Sequence, residues 1–402
     1  MVRFLAFGAL WLLVFGTAIV GGWSVMFRLS YLLLFLFGAA WAWARLSARW
    51  LDVSREPVQP RAQVGSTLAE VISVYNLSWL PKPFVDVQAR SSLPGHEGRF
   101  FTGLRGDGVQ RWTLSTPCQQ RGRYVLSPTI VTVGDPFGLF TRQVEFRSDS
   151  TVIVYPLTVD LPTFEAPDGD LAGGGRRRQR VPYTTAMATG IRDYQPGDPY
   201  NRIHWPNTAR LGRLLVKEFE QDPAADVWVV LDFDRNVHLG SGPESTEEIS
   251  VIIAGSLAKH FLLQNRAVGL LTQGHVLHPD RGTRQYLKIL ELLAVVRVRE
   301  YLGVGELLLL NAPSLARGTS ALIVTPTTRT QWLTAYEDLA HRGVRGAVVL
   351  LEARSFGSAH DSLPLVGALG ALGVPTYMVK RGEPIEHALS RPYLADLTEV
   401  AV

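Results

Sequence analysis

Residues 1–50 restrict the possible folds of this chain more than any other stretch. Residues 4–23 contain no charged side chain and reach the roughly 20 apolar residues that a membrane-spanning helix needs. After Gly21 and Gly22, residues 29–44 form a second apolar run, which becomes long enough to span if the Arg28 side chain extends to the interface. We therefore predict a transmembrane helical hairpin over residues 1–50, inserted in the lipid bilayer.

Basic residues flank the two apolar runs unequally. Arg3 precedes the first run and Arg28 lies in the turn, whereas Arg45, Arg49 and Arg55 follow the second run. Because basic residues next to spans stay in the cytoplasm, we predict a cell-membrane protein with two spans whose soluble domains are all cytoplasmic. The alternative is that the first run is a cleaved signal peptide, but no clear cleavage site precedes the second run.

Charge and cysteine content exclude several function classes. The chain has 40 Lys and Arg and 36 Asp and Glu, and residues 1–50 hold four of the arginines and no acid. Subtracting these four leaves 36 basic against 36 acidic residues, so the soluble part lacks the basic field that nucleic-acid binding requires. Cys118 is the single cysteine, which excludes an internal disulfide and a multi-cysteine metal site.

Residues 51–160 are predicted to form an all-β domain. Short alternating apolar runs, such as LAEVISVYNL and TIVTV, are separated by turn residues about every 8 to 12 positions. This pattern is typical of an immunoglobulin-like sandwich. The segment Gly134-Asp135-Pro136-Phe137-Gly138 is a turn by composition, and we interpret it as closing the sandwich rather than as a binding element.

Residues 161–182 and 183–402 are predicted to be a Gly/Arg-rich linker and an α/β domain. Five apolar runs alternate with helical patterns and predict strands at 227–231, 267–272, 321–325, 346–352 and 376–380. This order is typical of a doubly wound parallel sheet. Ser245 and Glu248 form a capping box before the first helix. No glycine-rich nucleotide-binding loop follows any strand, so no small-molecule substrate is identified.

Residues 190–220 of this domain are dense in arginine and aromatic side chains. At fixed spacing they contain Arg192, Tyr194, Gly197, Asp198, Arg202, Ile203, Trp205, Ala209 and Arg210. This order resembles the signature of the bacterial domain of unknown function 58 family, roughly Arg-x-Tyr-x-x-Gly-Asp, then Arg-x-Ile-x-Trp, then Ala-Arg. The sequence departs from it at Pro206, where the family tends to place a basic residue.

The resemblance implies a fold and a partner. The family's carboxy-terminal half looks like a von Willebrand factor A domain, and the implied partner is a MoxR-type AAA+ ATPase. We therefore expect a non-enzymatic, membrane-anchored adaptor or chaperone-like assembly factor. Its partner-binding residues would be those of the signature, namely Arg192, Tyr194, Gly197, Asp198, Arg202, Trp205 and Arg210.

A structural role for the signature remains an open alternative. Asp193, Glu218 and other nearby acids could neutralise its arginines in an ion-paired elbow between the linker and the sheet. Of the signature residues, we expect Trp205 to be more structural than Arg202, because a large ring gains most from burial.

The first predicted strand of the α/β domain ends in Asp232, Asp234 and Asn236, at the edge where such sheets bind ligands. The von Willebrand factor A resemblance implies a degenerate metal-ion-dependent adhesion site there, with Mg²⁺ as the ion, although Thr325 and Pro326 stand where an aspartate is expected. The other interpretation is that these groups cap the following turn. No other cofactor is expected.

A different class of function uses the same residues. Asp232 and Asp234 could act in a Mg-dependent phosphatase of haloacid-dehalogenase type, with Asp232 attacking phosphorus and Asp234 protonating the leaving group. The downstream acids that such an enzyme needs are missing from the sequence, so we regard this as the alternative.

Overall fold

The computed structural model describes residues 2–148, 150–164, 188–195, 203–219, 226–299, 301–315 and 317–393. The chain divides into two compact units, one of Met1–Leu157 with Leu290–Val296 and one of Thr158–Ile289 with Arg297–Val402. From residue 165 onward, the predicted linker lies outside the described residues.

Two apolar helices open the first unit. Helix α1 is Val2–Gly21 and α2 is Ser24–Ser47, and Gly22 makes the turn between them with a φ of 64°. The helices pack together, because the Phe7 and Phe37 rings stack at 5.4 Å and the Trp11 indole donates to the Ser30 carbonyl at 3.2 Å. Helix α2 is long and apolar enough to cross a membrane, whereas the described apolar part of α1, Ala6–Gly21, is shorter.

Helix α2 runs almost directly into the first strand. Only Ala48, Arg49 and Trp50 separate Ser47 from Leu51. Ala48 and Leu51 pack against the hydrophobic core of the strands that follow, and Trp50 takes a left-handed φ of 53° to make the bend. The helix and the β-rich region are therefore joined by a short, packed connection.

The β-rich region confirms the predicted all-β character of this part of the chain. Its described residues form the strands β1 Leu51–Pro57, β2 Arg61–Gln63, β3 Thr67–Asn76, β4 Lys82–Ala89, β5 Gly98–Leu104, β6 Val109–Pro117, β7 Gly122–Val125, β8 Thr129–Gly134, β9 Thr141–Phe146 and β10 Thr151–Tyr155. They make three sheets, with orders β1-β3-β6, β5-β4-β8-β9 and β2-β10-β7. Strand pairing is antiparallel except between β2 and β10.

Alternating side chains of these strands build one core. Ile72 and Val74 of β3 are buried together with Val85 and Val87 of β4 and Val131 of β8. These are positions i and i+2, which point to the same face of a strand. The alternating apolar residues of the sequence therefore form the core shared by two of the sheets.

A buried ion pair joins β1 to β3. Arg55 contacts both carboxylate oxygens of Glu70, at 2.8 Å through Nε and 3.1 Å through Nη2, and the two side chains are each 1% exposed. Arg55 Nη1 also donates to the Arg90 carbonyl at 2.6 Å. His96 completes the cluster, with its Nε2 3.4 Å from Glu70 and its Nδ1 3.1 Å from the Thr116 hydroxyl. These hydrogen bonds offset the cost of burying the charged side chains of Arg55 and Glu70.

The second unit begins with a small antiparallel pair and continues into a larger sheet. The pair is β11 Ala188–Asp193 and β12 Leu215–Phe219, with helix α3 Trp205–Leu211 between them in the chain. The larger sheet contains β13 Val227–Leu231, β14 Val268–Thr272, β15 His275–Asp280, β16 Ser320–Thr325, β17 Arg345–Leu351 and β18 Thr376–Val379. Its order is β15-β14-β13-β16-β17-β18, and β15 alone is antiparallel to its neighbour.

Helices lie between these strands and after the last of them. They are α4 Thr246–Leu263, α5 Gly282–Val295, α6 Val304–Leu310, α7 Leu333–His341, α8 Leu363–Ala371 and α9 Ile385–Ala388, with a 3₁₀ turn at Ala312–Ser314. As the capping box predicted, the Ser245 hydroxyl accepts from the Glu248 N–H, at 3.3 Å.

The five predicted strands of this sheet are present. They are continuous apolar runs buried on both faces, which is typical of parallel strands covered by helices. Strand β15 was not predicted, and it follows β14 through a hairpin at Gly274, where φ is 76°.

Candidate functional site

The candidate site lies at the carboxyl end of β13. Asp232 follows this strand directly, and Asp234 and Asn236 lie in the turn after it. Strand β13 pairs in parallel with β14 and with β16, so the carboxyl ends of all three meet at one edge. That edge brings Gln273, which follows β14, and Thr325, the last residue of β16, next to Asp232.

Protein donors occupy both carboxylate oxygens of Asp232. Its Oδ2 accepts from the Thr325 hydroxyl at 2.6 Å, and its Oδ1 accepts from the Asp234 N–H at 3.1 Å and from Gln273 Nε2 at 3.2 Å. The side chain is almost completely buried, and this desolvation raises the pKa of Asp232 from 3.8 to about 6 against the opposing effect of the three donors. Asp232 therefore takes up a proton in mildly acidic solution.

Asp234 and Asn236 organise the turn. Asp234 Oδ1 accepts from both the backbone N–H and the side-chain amide of Asn236, each at 2.9 Å. His238 then ties the turn to α4, because its Nε2 lies 2.8 Å from the Asp232 carbonyl and its Nδ1 3.0 Å from the Thr246 hydroxyl. These are the hydrogen bonds expected if the acidic groups cap the turn.

The same groups open onto a cavity of about 340 Å³. Its polar lining includes Asp232, Asp234, Asn236, Glu306, Thr327 and Arg329. Two carboxylates with amide and hydroxyl oxygens fit Mg²⁺, which proteins hold through one or two carboxylates while it keeps several waters. Within the described ranges no group of three His, Cys, Asp or Glu side chains could hold a metal. Any Mg²⁺ at Asp232 and Asp234 would need neutral oxygens and water as its other ligands, and the adhesion-type metal site stays a prediction.

The described part of the signature folds around β11 and β12. Ile203 bridges to Val216, and both are buried together with Leu215. The backbone N–H of Tyr194 donates to the Leu214 carbonyl at 2.9 Å. Of the remaining signature residues, Gly197, Asp198, Arg202 and the side chain of Arg192 lie outside the described residues.

Helix α3 explains the departure at Pro206. His204 caps this helix by accepting from the Asn207 N–H at 3.2 Å, and Pro206 occupies its first turn. Proline is favoured there, since a first-turn N–H has no partner within the helix and the fixed φ is already helical. Gly212, with a φ of 66°, ends the helix in the left-handed conformation.

The side chains of α3 face outward. Trp205 is 62% exposed, so the expectation that its ring is buried is wrong. Ile203, Leu215 and Val216 already fill the small core, and no residue of α3 is buried. Leu211, Leu214 and Arg210 are also exposed. An ion pair of the kind proposed for an elbow joins Arg213 to Asp193 at 3.2 Å, but both side chains are exposed, so it stabilises little.

The signature and the Asp232 site both lie in a segment of the chain that matches a known protein family. Residues 190–363 match the family described as "Protein of unknown function DUF58". The chain carries a DUF58 domain. It begins within β11 and ends at the first residue of α8, so it contains both the signature and the Asp232 site.

Two relatives extend the similarity beyond the DUF58 domain. "Uncharacterized protein YeaD" of Bacillus subtilis is 25% identical over 303 residues, which cover 70% of this chain and 71% of that protein. "Uncharacterized protein Rv1480" of Mycobacterium tuberculosis is 26% identical over 207 residues, which cover 49% of this chain and 64% of that protein. A solved CARDB domain from Pyrococcus furiosus covers 26% of this chain and 86% of its own length, at 16% identity, and its TM-score of 0.20 carries no argument about fold.

Three residues that the sequence analysis did not assign to the site belong to it within the DUF58 domain. The sequence-based prediction did not include Gln273 or His238, and it named Thr325 without assigning it to the site. A usable signal was present, because polar residues directly after neighbouring parallel strands meet at one edge. Gln273 and Thr325 both satisfy that rule.

Proposed function

We propose that this DUF58 protein is a non-enzymatic adaptor or chaperone-like assembly factor that binds a MoxR-type AAA+ ATPase. Helices α1 and α2 are its two-span anchor in the cell membrane, and its soluble units are cytoplasmic. The basic residues after α2 support this orientation.

The exposed apolar face of the signature carries the proposal. We define the signature surface as Trp205, Arg210, Leu211 and Leu214, all of which are exposed to solvent. Tryptophan and arginine are enriched among the residues that dominate binding energy at interfaces. A partner that covers Trp205 would remove a large apolar area from water, because 62% of this side chain is exposed in the free protein.

The architecture supports the domain assignments of the proposal. The sheet order β15-β14-β13-β16-β17-β18 corresponds to the doubly wound order 3-2-1-4-5-6, with the antiparallel strand at an edge. This supports a von Willebrand factor A-like domain. The antiparallel sheets β1-β3-β6 and β5-β4-β8-β9 with a shared core support an immunoglobulin-like sandwich.

Binding by a Trp205→Ala variant tests the adaptor function. The full chain is purified in detergent and incubated with a MoxR-type ATPase from the same organism, with Leu263→Ala as the matched control because Leu263 is also a highly exposed apolar side chain of the second unit. We expect Trp205→Ala to lose the ATPase while its free energy of unfolding changes by no more than about 0.5 kcal/mol. Unchanged binding, or a strong loss of stability, would contradict the proposal.

The phosphatase alternative has one observation in its favour, which is that Asp232 and Asp234 line the same cavity. Against it, hydrogen bonds from the protein occupy both oxygens of the supposed nucleophile. We expect the purified chain with Mg²⁺ to leave p-nitrophenyl phosphate intact. Hydrolysis that disappears in Asp232→Asn would establish the phosphatase instead, because an amide cannot attack phosphorus.

A further inference from the structure

The turn between β8 and β9 lies against the apolar helix α2. The ring of Phe140, at the end of this turn, contacts the ring of Phe37 edge to face, with centroids 4.9 Å apart. Phe37 lies ten residues before Ser47, the last residue of α2. At a rise of about 1.5 Å per residue, the contact is roughly 15 Å along the helix from Ser47. On the proposed anchorage, with Ser47 at the membrane surface, this position lies within a hydrocarbon layer about 30 Å thick.

Four hydrogen bonds to Asp135 or from it hold this turn together. Asp135 Oδ2 accepts from the Phe137 N–H at 2.8 Å, and its Oδ1 accepts from the Phe140 N–H at 2.6 Å. Gly138 N–H donates to the Asp135 carbonyl at 3.1 Å, and the Asp135 N–H donates to the Phe140 carbonyl at 3.2 Å. Asp135 itself is buried at the base of the turn. Non-helical backbone at membrane depth is tolerated where it is packed against protein, and this turn packs against α2 through Phe140.

The tip of the turn is apolar and uncovered. Phe137 is 59% exposed, and Leu139 and Phe140 are half-buried. Other large apolar side chains are exposed at the same end of the strands. Phe84 pairs there with Gly134, the first residue of the turn, and the Leu77 N–H donates to the carbonyl of Trp50, which follows α2. This set consists of Trp50, Leu77, Trp79 and Phe84.

We propose that the turn Gly134–Phe140 inserts into the lipid bilayer beside α2, with Phe137 in the hydrocarbon layer and the surrounding aromatic residues at the interface. The occupant of this apolar surface is lipid, because the surface is continuous with the helix that is long and apolar enough to span. Tryptophan and other aromatic side chains are enriched at that depth. The inference rests on the proposed membrane anchorage and adds a third embedded element to it.

Depth-dependent quenching of a fluorophore tests the inference. The full chain, with buried Cys118 replaced by alanine, receives a single cysteine at Phe137, Phe35 or Val125, carries an NBD label there, and is reconstituted in phosphatidylcholine and phosphatidylglycerol vesicles. Phe35 is an exposed position of α2 and reports on the anchor. Val125 is exposed and serves as the position far from the turn. It bonds to Ser92, which lies beyond the opposite end of β4, and this strand is about 25 Å long at 3.4 Å per residue.

We expect lipids with a nitroxide on the acyl chain to quench Phe137→Cys as strongly as Phe35→Cys, while aqueous iodide quenches only Val125→Cys. If iodide quenches the label at 137 and the lipid nitroxide quenches only the label at 35, the turn inference is wrong and the anchor stands. If the lipid nitroxide quenches neither of them, the anchorage fails and the turn inference fails with it.

Discussion

At the residue scale, Asp232 is a carboxylate that the fold keeps almost completely out of water. Burial disfavours its charged form, whereas Thr325, Gln273 and the Asp234 N–H favour that form. Burial is the larger effect, because the pKa still rises to about 6. The carboxylate is thus held in position at neutral pH at a cost in stability, as is common for groups that serve a site rather than the fold.

Stability should therefore depend on pH through this residue. Folding raises the pKa of Asp232 from 3.8 to about 6, so the folded state binds the proton more tightly. The resulting stabilisation is complete below pH 3.8, is lost as pH rises through about 6, and amounts to about 3 kcal/mol at roughly 1.4 kcal/mol per pKa unit. Chemical unfolding of the wild type and Asp232→Asn between pH 4 and about 7 measures it.

The asparagine is a suitable control for this effect. Its Oδ1 can still accept from Gln273 and from the Asp234 N–H, and its amide can donate to Thr325 Oγ1. We expect the wild type to lose stability relative to Asp232→Asn as the pH rises, because only the wild type loses the proton that folding binds more tightly. A difference that does not change with pH would show that Asp232 has an ordinary pKa.

At the scale of elements, the Arg55–Glu70 pair fixes β1 against β3 inside the first unit. Removing Glu70 leaves the Arg55 guanidinium buried without its counter-charge. We expect Glu70→Ala to lower the free energy of unfolding by about 3 to 5 kcal/mol. The matched control is Glu145→Ala, which breaks an exposed pair with Arg147 at 2.9 Å and should cost less than about 1 kcal/mol. Equal losses in the two variants would mean that the buried pair contributes nothing of its own.

Elements with a continuous apolar signal could be predicted from the sequence, and those without it could not. The strands at 227–231 and 321–325 were located because every residue in them is buried, so neighbours in the sequence carry the same signal. Strand β15 was missed because it lies at an edge of the sheet, where none of its residues is buried and His275 and Val276 are both exposed. Trp205 was misjudged because hydrophobicity indicates what a ring gains from burial but not whether the local core has room for it.

The residues of the Asp232 site could be predicted only where they are neighbours in the sequence. Asp232, Asp234 and Asn236 follow one strand in the sequence and were assigned together. Gln273 and Thr325 reach the site only through the pairing of β13 with β14 and β16, which is a property of the folded sheet. The identity of the strand neighbours, rather than any motif, decides which donors hold Asp232.

At the scale of the whole molecule, the arrangement of basic residues around the apolar helices determines the orientation that we propose. Arg45 lies in the last turn of α2, and Arg49 and Arg55 follow the helix, so the carboxyl end should stay in the cytoplasm. A reporter enzyme that is active only outside the cytoplasm, fused after Val402, should be silent, and one that is active only in the cytoplasm should give a signal. Activity of the first reporter would contradict the two-span hairpin.

The three-residue connection between α2 and β1 has a mechanical consequence. A helix that is joined to a domain by a long loop can tilt alone, but Ala48 and Leu51 are held in the core of the β-rich region. Transmembrane helices change their tilt when the hydrocarbon layer becomes thicker or thinner. On the proposed anchorage, α2 would act as a lever that converts a change in membrane thickness into a rotation of the β-rich region.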